Sequence, residues 1–246
     1  GQGGAKIQTV AGGLGQLAKT MANSHGESFH GECIVDTALF EKGWWYLFYQ
    51  GKQLVRTENL VIALPPKQTA VLLREYLGGQ RSLLAGLAGD DLVSIHLAYS
   101  RDQTQDACAG FGYFLDPVKQ SPVLSVQFIH AIFPSAAPDN TLLFRCLLGG
   151  ASRPNLVETV PQELLEWAQE ELSKTLGTTG NPLQSWVHAC PGGVPQYGLG
   201  HQKTARAIQE KLAHYPGLFL AGDALFGVGV NAAFRRGAEL AIELSQ

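Results

Sequence analysis

The stretch PGLFLAGD at residues 216–223, followed by GVGVN at residues 227–231, decides the fold of this chain. Its apolar residues 218–221 predict a buried β-strand, and the glycines after them predict a tight turn that leads into a helix. A helix that begins there would present free backbone N–H groups to an anion or an electron-rich carbonyl. Asp223 either accepts hydrogen bonds from ligand hydroxyls or caps the helix, and the residues alone leave both interpretations open.

Strands and helices alternate around this stretch, whereas strands dominate the middle of the chain. Towards the C-terminus the order strand, helix, strand, helix is predicted at residues 183–190, 203–212, 218–221 and 231–244. In the middle, four strands and then a long helix are predicted at residues 91–99, 110–115, 123–133, 141–148 and 156–176. Near the N-terminus, four strands are predicted at residues 6–10, 32–40, 44–50 and 60–64. Two helices are predicted there, one that follows the glycine turn at 12–15 and ends at residue 21, and one at residues 67–76. This order predicts an α/β fold with an inserted, mainly antiparallel β-sheet.

The composition argues against several classes of protein. The 246 residues are 45% hydrophobic and 16% charged, with a formal net charge of −3, so no basic surface for nucleic acid is expected. We find no apolar run of the length that crosses a membrane and no signal-peptide pattern. We therefore expect a cytoplasmic protein. Peripheral contact with a membrane, through an exposed apolar patch, and a homodimer both stay open.

Residues that bind metals or carry out hydrolysis form no recognisable pattern. The seven histidines and four cysteines lack C-x-x-C, H-x-x-x-H and H-E-x-x-H spacings, so we predict no metal site. We expect the cysteines to be buried, reduced thiols. No G-x-S-x-G elbow occurs either, which argues against serine-hydrolase chemistry.

A nicotinamide-binding fingerprint is a rival interpretation of the N-terminus. The sequence GLGQLA at residues 13–18 fits G-x-G-x-x-A, follows a strand-like segment, and precedes Glu32 by about the expected spacing. The glycines, however, come three residues after that segment, and Glu32 does not end an apolar strand. A lone G-x-G-x-x-A is a weak signal, so we do not favour this interpretation.

Several motifs in a consistent order resemble those of protoporphyrinogen oxidases, within the flavin amine oxidase superfamily. LAGD…GVG, from residue 220 to 229, resembles the superfamily's C-terminal FAD motif, and PQYGLGH at 195–201 is similar to the oxidases' P-Q-Y-x-x-G-H segment. Shorter matches are GGL, VIALP, GFGY and LGGASRP, at residues 12–14, 61–65, 110–113 and 148–154. The resemblance covers nearly the whole chain, and it departs from the family at Thr204, Ala233 and Arg236.

The resemblance implies an FAD-dependent oxidase that converts protoporphyrinogen IX to protoporphyrin IX with O₂ in haem biosynthesis. It implies no catalytic side chain. For His201, the histidine inside the PQYGLGH motif, we favour a role in holding the loop beside the flavin over acid–base chemistry. The residues that it implies for FAD binding are Val35, Gly222, Asp223, Val228, Gly229, Val230 and Asn231. The residues that it implies for the cavity of a large apolar tetrapyrrole are Phe111, Gly112, Phe114 and Leu147. A basic residue should meet the propionates, but the sequence does not single it out.

The resemblance also implies two domains. A partial FAD-binding domain is expected at residues 1–65 and 183–246, and a substrate-binding domain at residues 66–182. The family's N-terminal strand, G-x-G-x-x-G turn and helix are not found, so we expect this chain alone to bind FAD weakly and to be inactive. Two alternatives stay open: a flavin amine oxidase acting on an amine or an apolar polyene, and a non-catalytic porphyrin-binding or scaffold module.

Overall fold

The structure is a computed structural model, and it contains two compact units, residues 1–35 and 36–246. It describes residues 8–87, 89–105, 108–116, 121–151, 153 and 155–245. The first unit contains helix α1 (Leu14–Ser24), which begins after Gly13 at φ 82°. Residues 8–10 are not in a strand, so the predicted strand at 6–10 is wrong there, and residues 6–7 lie outside the described part of the chain. The nicotinamide fingerprint therefore lacks the strand that it needs in the described residues.

The second unit contains strands and helices in alternation. Its strands are β1 (Thr37–Glu41), β2 (Trp44–Tyr49), β3 (Lys52–Thr57), β4 (Leu60–Ile62), β5 (Asp90–Ser100), β6 (Gly112–Phe114), β7 (Val123–Phe128), β8 (Thr141–Gly149), β9 (Gln184–Val194) and β10 (Leu218–Leu220). Its helices are α2 (Pro66–Leu72), α3 (Arg74–Leu77), α4 (Gln80–Ala85), α5 (Ile129–Ile132), α6 (Pro161–Leu176), α7 (His201–Leu212), α8 (Asp223–Phe226) and α9 (Val230–Leu244).

An antiparallel sheet in the order β1-β2-β3 opens the second unit. Trp45 on β2 is fully buried, and its ring packs against Phe40 and Tyr76. The predicted strand at 32–40 begins only at Thr37, because residues 31–32 form a turn in which Glu32 has φ 56°. The sequence did not predict β3, whose residues are almost all exposed and therefore give no apolar pattern.

The predicted inserted sheet is confirmed as a five-stranded antiparallel sheet in the order β6-β7-β8-β5-β9. One face packs against α6 and forms the hydrophobic core, with fully buried Ile95, Phe144 and Leu172. The predicted strand at 123–133 ends at Phe128, because residues 129–132 turn into α5. The predicted strand at 183–190 becomes β9 and pairs with β5, although it lies within the range assigned to the FAD-binding part.

The decisive stretch of the sequence forms the predicted strand and the predicted C-terminal helix, but residues 223–226 form the unpredicted helix α8, and β10 is only partly buried. Strand β10 pairs in parallel with β4, and the Leu60 N–H donates a hydrogen bond of 2.7 Å to the Gly217 carbonyl oxygen. Gly217 has φ 71°, and a Cβ there would lie 1.9 Å from the Glu58 carbonyl oxygen. Only glycine permits this approach. The pair β4–β10 therefore delivers residues 221–231 to a fixed place beyond the carboxyl ends of two parallel strands.

The other differences from the sequence prediction are local. The predicted helix at 67–76 divides into α2 and α3, and α4 was not predicted.

Cys108 and Cys146 are buried thiols as expected, whereas Cys33 and Cys190 are exposed, so the expectation was wrong for these two. Among the described residues, no helix is both long enough and apolar enough to cross a membrane.

Candidate functional site

Two glycines shape the chain after β10. Gly222 precedes α8 with φ 102°, and Gly229 precedes α9 with φ 101°. Both values lie in the region that favours glycine. A Cβ on Gly229 would meet no atom within 4 Å, and one on Gly222 would meet only the Leu64 carbonyl oxygen, at 3.9 Å. These glycines are therefore required by backbone conformation, and they leave open space beside the turn.

The first turn of α9 faces this space with free donors. Gly229 has no side chain that could cap the helix, and Ala232 and Ala233 are the first residues to donate hydrogen bonds back to its carbonyl oxygen. The N–H groups of Val230 and Asn231 thus have no acceptor within the helix. Val228 and Val230 are exposed apolar side chains beside them. The arrangement offers N–H donors and an apolar edge to a flat, electron-rich ring.

Asp223 is exposed at the first position of α8. Among the described residues, its carboxylate forms no hydrogen bond or ion pair, so it is not occupied in capping the helix. A free carboxylate at the end of a buried strand can accept hydrogen bonds from ligand hydroxyls. This donor and acceptor set, with the glycines that leave room for a ligand, fits the part of FAD that the sequence motif implies.

Tyr197 ties the PQYGLGH segment to this turn, and the sequence analysis assigned it no role. Its hydroxyl donates a hydrogen bond to the Asp223 carbonyl oxygen and accepts one of 3.1 Å from the Gly227 N–H. The ring of His201 stacks on that of Tyr197, with centroids 4.1 Å apart. His201 Nδ1 is buried without a hydrogen-bond partner. The stacking supports a positioning role for His201, which stays a prediction.

Arg236, noted above only as a departure from the family, fixes the other side of the turn. Its guanidinium donates hydrogen bonds of 3.3 Å to the Leu220 carbonyl oxygen and pairs with Glu243 at 2.9 Å. It also lies 4.2 Å from the centre of the Phe226 ring. Arg236 on α9 therefore links α9 to the end of β10 and to α8.

Val35 is the last residue of the first unit and lies outside any strand or helix. The predicted contact of Val35 with the adenine end of FAD stays a prediction.

The five-stranded sheet has a second face, opposite α6, which we call the open face. The strand registers place two rows of residues across all five strands on this face. One row consists of Phe114, Ser125, Leu147, Ser94 and His188, and the next consists of Gly112, Gln127, Arg145, His96 and Trp186. The sheet therefore brings predicted cavity residues Gly112, Phe114 and Leu147 onto one surface.

The four predicted cavity residues differ in their surroundings. Phe114 is 86% exposed and Phe111, just before β6, is 65% exposed. Leu147 is partly buried in the middle of the sheet. A Cβ on Gly112 would lie 2.0 Å from the Val126 carbonyl oxygen, so Gly112 is needed for strand pairing whether or not it meets a ligand.

A cavity of about 630 Å³ lies on the other side of the sheet, between β6 and α6. Its wall includes Phe114, but also Glu171, whose carboxylate accepts hydrogen bonds from Thr175 (2.7 Å) and Tyr113 (3.4 Å). Burial raises the pKa of Tyr113. The lining of this cavity is mixed, because acidic Glu170 and Glu171 lie beside basic Arg153 and Lys174, and Trp167 and Leu115 add apolar surface. Of the four predicted cavity residues, only Phe114 is among those that line it.

Comparison with known proteins agrees with this geometry. The sequence model of the family described as flavin containing amine oxidoreductase matches residues 1–244. The chain belongs to this family. Membership explains why a β-strand, a glycine turn and an uncapped helix follow one another at its C-terminal end.

Curated relatives of the chain include porphyrinogen oxidases. The chain is 23% identical over 181 residues to "Coproporphyrinogen III oxidase" of Bacillus subtilis, covering 73% of this chain. It is 24% identical over 218 residues to "Protoporphyrinogen oxidase 1, chloroplastic" of Arabidopsis thaliana, covering 83% of this chain. The crystal structure of a candidate protoporphyrinogen oxidase from Exiguobacterium superposes on 97% of this chain with a TM-score of 0.82 and 23% identity, which shows the shared fold.

The chain is much shorter than these proteins. It spans 38% of the Bacillus relative, 41% of the Arabidopsis relative and 52% of the Exiguobacterium protein. The chain therefore corresponds to about half or less of the length of each of these proteins.

Proposed function

We propose that the protein is an FAD-dependent oxidase whose substrate is protoporphyrinogen IX. One observation carries the proposal. In a chain of the flavin amine oxidoreductase family, the uncapped N-terminus of α9 and the free carboxylate of Asp223 lie on the same glycine turn. Free N–H donors at a helix N-terminus can meet an electron-rich ring edge, and a free carboxylate can accept hydrogen bonds from ligand hydroxyls.

The residues that would hold FAD follow from this turn. Val228, Gly229, Val230 and Asn231 would face the isoalloxazine, while Gly222 and Asp223 would meet the ribityl–pyrophosphate region. Bound FAD supplies the acceptor for a hydride, and O₂ then takes the electrons. The protein's own contribution is to orient the ring with backbone donors and to keep water from it with apolar side chains.

The open face supports a tetrapyrrole as the substrate. Phe114 and Leu147 share one row on this face, and Trp186 lies in the next row. Across five strands spaced about 4.8 Å apart, each row is roughly 19 Å long. A flat apolar macrocycle suits a broad wall of this kind better than a narrow polar pocket does.

Turnover measurements test the proposal directly. The protein, in the length that its gene encodes and loaded with FAD, is supplied with protoporphyrinogen IX, coproporphyrinogen III, a primary alkylamine and an apolar polyene. Oxygen consumption and porphyrin fluorescence are followed. We expect turnover with a porphyrinogen, fastest with protoporphyrinogen IX. Turnover with the amine or the polyene alone would overturn the proposal.

A matched pair of leucine variants localises the substrate. Leu147→Ala, on the open face, should raise KM for the porphyrinogen about tenfold through lost apolar contact. Leu83→Ala, on exposed α4, removes the same atoms elsewhere and should leave KM unchanged. Equal effects of the two variants on KM would show that the open face does not contact the substrate.

A further inference from the structure

The open face of the sheet carries an arginine at its centre. Arg145 lies on β8 between Phe144 and Cys146, which both point into the core on the α6 side. Strand alternation therefore places Arg145 on the open face, where it is only partly exposed. Its Nε is buried and has no hydrogen-bond partner.

No acidic residue faces this arginine from the neighbouring strands in the two rows described above. Directly opposite Arg145 are Gln127 on β7 and His96 on β5. The next row contributes Ser125, Leu147 and Ser94. Among the described residues, the salt bridges involve other side chains, and none includes Arg145.

Two histidines extend the cluster away from Arg145. The rings of His96 and His188 lie edge to face, with centroids 6.0 Å apart. Burial lowers the pKa of His96, and the positive charge of Arg145 and the nearby His188 lower it further. The open face thus holds one permanent cation and two imidazoles, with no carboxylate in the two rows to balance them.

One donor of this arginine, the buried Nε–H, has no acceptor among the described residues. Its guanidinium keeps its charge at every pH that a protein tolerates, and a buried N–H without a partner costs free energy. Its planar donors match the two oxygens of a carboxylate. Leu147 and Phe114 lie in the adjacent row, with Ser125 between them, so an anion bound here would have apolar side chains nearby.

We propose that Arg145, together with His96, binds a carboxylate of the substrate, and that this substrate is an organic acid with a flat apolar body. The inference deepens the proposed function, on which the choice of a tetrapyrrole rests. The carboxylate site itself rests on the arginine and its surroundings. Arg145 would be the basic residue that contacts the substrate carboxylates, which the sequence could not single out.

Fluorescence titration with protoporphyrin IX and with its dimethyl ester tests the site. The two probes share the macrocycle and differ in charge at the carboxylates. The flavin-loaded protein should bind the acid at least about tenfold more tightly than the ester. Arg145→Gln should abolish this preference while changing ester affinity less than twofold. Arg206→Gln, on exposed α7, is the matched control and should retain the preference.

The possible results of this titration distinguish failure of the carboxylate site from failure of the proposed function. Equal affinity for acid and ester in the unaltered protein, or a preference that survives Arg145→Gln, would overturn the site and leave porphyrinogen oxidation standing. If neither porphyrin binds, the proposed function fails, and a titration with dodecanoate decides the site. Binding of dodecanoate that depends on Arg145 upholds it, and absent or Arg145-independent binding overturns it.

A measurement on the unaltered protein covers the case in which Arg145→Gln does not fold. The His96 pKa is followed by NMR, with the signal assigned through His96→Gln. The acid probe should raise this pKa, because a carboxylate beside the imidazole stabilises its charged form. The ester should leave it unchanged. An equal response to both probes contradicts the site.

Discussion

At the residue scale, Gly112 has a structural role that its implied place in the substrate cavity does not reveal. It has φ 127°, and a Cβ there would lie 2.0 Å from the Val126 carbonyl oxygen on β7. We expect Gly112→Ala to lower the free energy of unfolding by about 1–3 kcal/mol, since both the strained backbone and the clash oppose pairing. Urea denaturation measures this change.

Gly237 supplies the matched control for Gly112. It lies within α9, its φ is not positive, and a Cβ there would meet no atom within 4 Å. Gly237→Ala should therefore raise the free energy of unfolding by about 0.5–1 kcal/mol, as alanine does in a helix interior. If both variants unfold at the same urea concentration, the close approach of Gly112 to the Val126 carbonyl oxygen is contradicted.

Asp223 is the residue on which FAD affinity should depend most directly. Its carboxylate is exposed and has no partner among the described residues, so its removal should not disturb the fold. Asp223→Ala should weaken FAD binding by about 1.5–3 kcal/mol, roughly ten- to a hundredfold, through loss of a charge-assisted hydrogen bond. Isothermal titration of the apoprotein with FAD measures this.

Asp223→Asn distinguishes charge from hydrogen bonding. The amide oxygen still accepts hydrogen bonds, so this variant should lose less affinity than Asp223→Ala does. If either variant lowers the thermal midpoint but leaves FAD affinity unchanged, Asp223 stabilises the helix and does not bind the ligand.

At the element scale, Tyr197 connects the segment before α7 to the turn after β10. We expect Tyr197→Phe to weaken FAD binding about five- to tenfold, because the hydroxyl bonded to Asp223 and Gly227 is lost while the ring still stacks on His201. FAD affinity and the thermal midpoint should be measured together, and the midpoint should fall only slightly.

Tyr46→Phe is the control for Tyr197→Phe, because it removes a tyrosine hydroxyl from β2, in the sheet β1-β2-β3. FAD affinity should not change in this variant. A loss of affinity equal to that of Tyr197→Phe would show that the hydroxyl contacts at the turn are unimportant.

The elements that the sequence predicted are those with a local signal. Strand β10 and helix α9 have apolar runs and glycine boundaries, so their prediction needed no partner. The place of β9 in the antiparallel sheet depends on pairing with β5, almost one hundred residues earlier, which no local pattern shows. The role of Tyr197 and the row containing Arg145 are likewise products of tertiary register.

The row that contains His96 and Arg145 predicts how porphyrin binding depends on pH. His96 has a lowered pKa in the free protein because of burial, Arg145 and His188, and a bound carboxylate should raise that pKa. Binding then takes up a proton, so affinity for protoporphyrin IX should rise as the pH falls from the raised pKa of His96 in the complex to its lowered pKa in the free protein. Titrations at several pH values measure this.

His96→Gln is the variant that should remove the pH dependence, and His188→Gln should retain it. The carboxylates of the ligand stay ionised over this range, because ordinary carboxyl groups titrate near pH 4. Affinity that falls with decreasing pH, or a pH dependence that survives His96→Gln, contradicts proton uptake by His96.

At the scale of the whole molecule, the sequence was sufficient for the family and the fold class but not for the substrate. The family match covers residues 1–244, while the chain spans about 40% of its porphyrinogen oxidase relatives. That the 246 residues alone bind FAD weakly stays a prediction. The proposed substrate rests on how side chains from five strands combine on one face, which the sequence order does not specify.

Anaerobic reduction of the bound flavin tests the central claim most directly. The flavin-loaded protein, in the length that its gene encodes, is mixed with protoporphyrinogen IX without oxygen, and the visible absorbance of the flavin is followed. We predict that this absorbance bleaches as porphyrin fluorescence appears. A flavin that stays oxidised with protoporphyrinogen IX, yet bleaches with an amine or a polyene, would contradict the account.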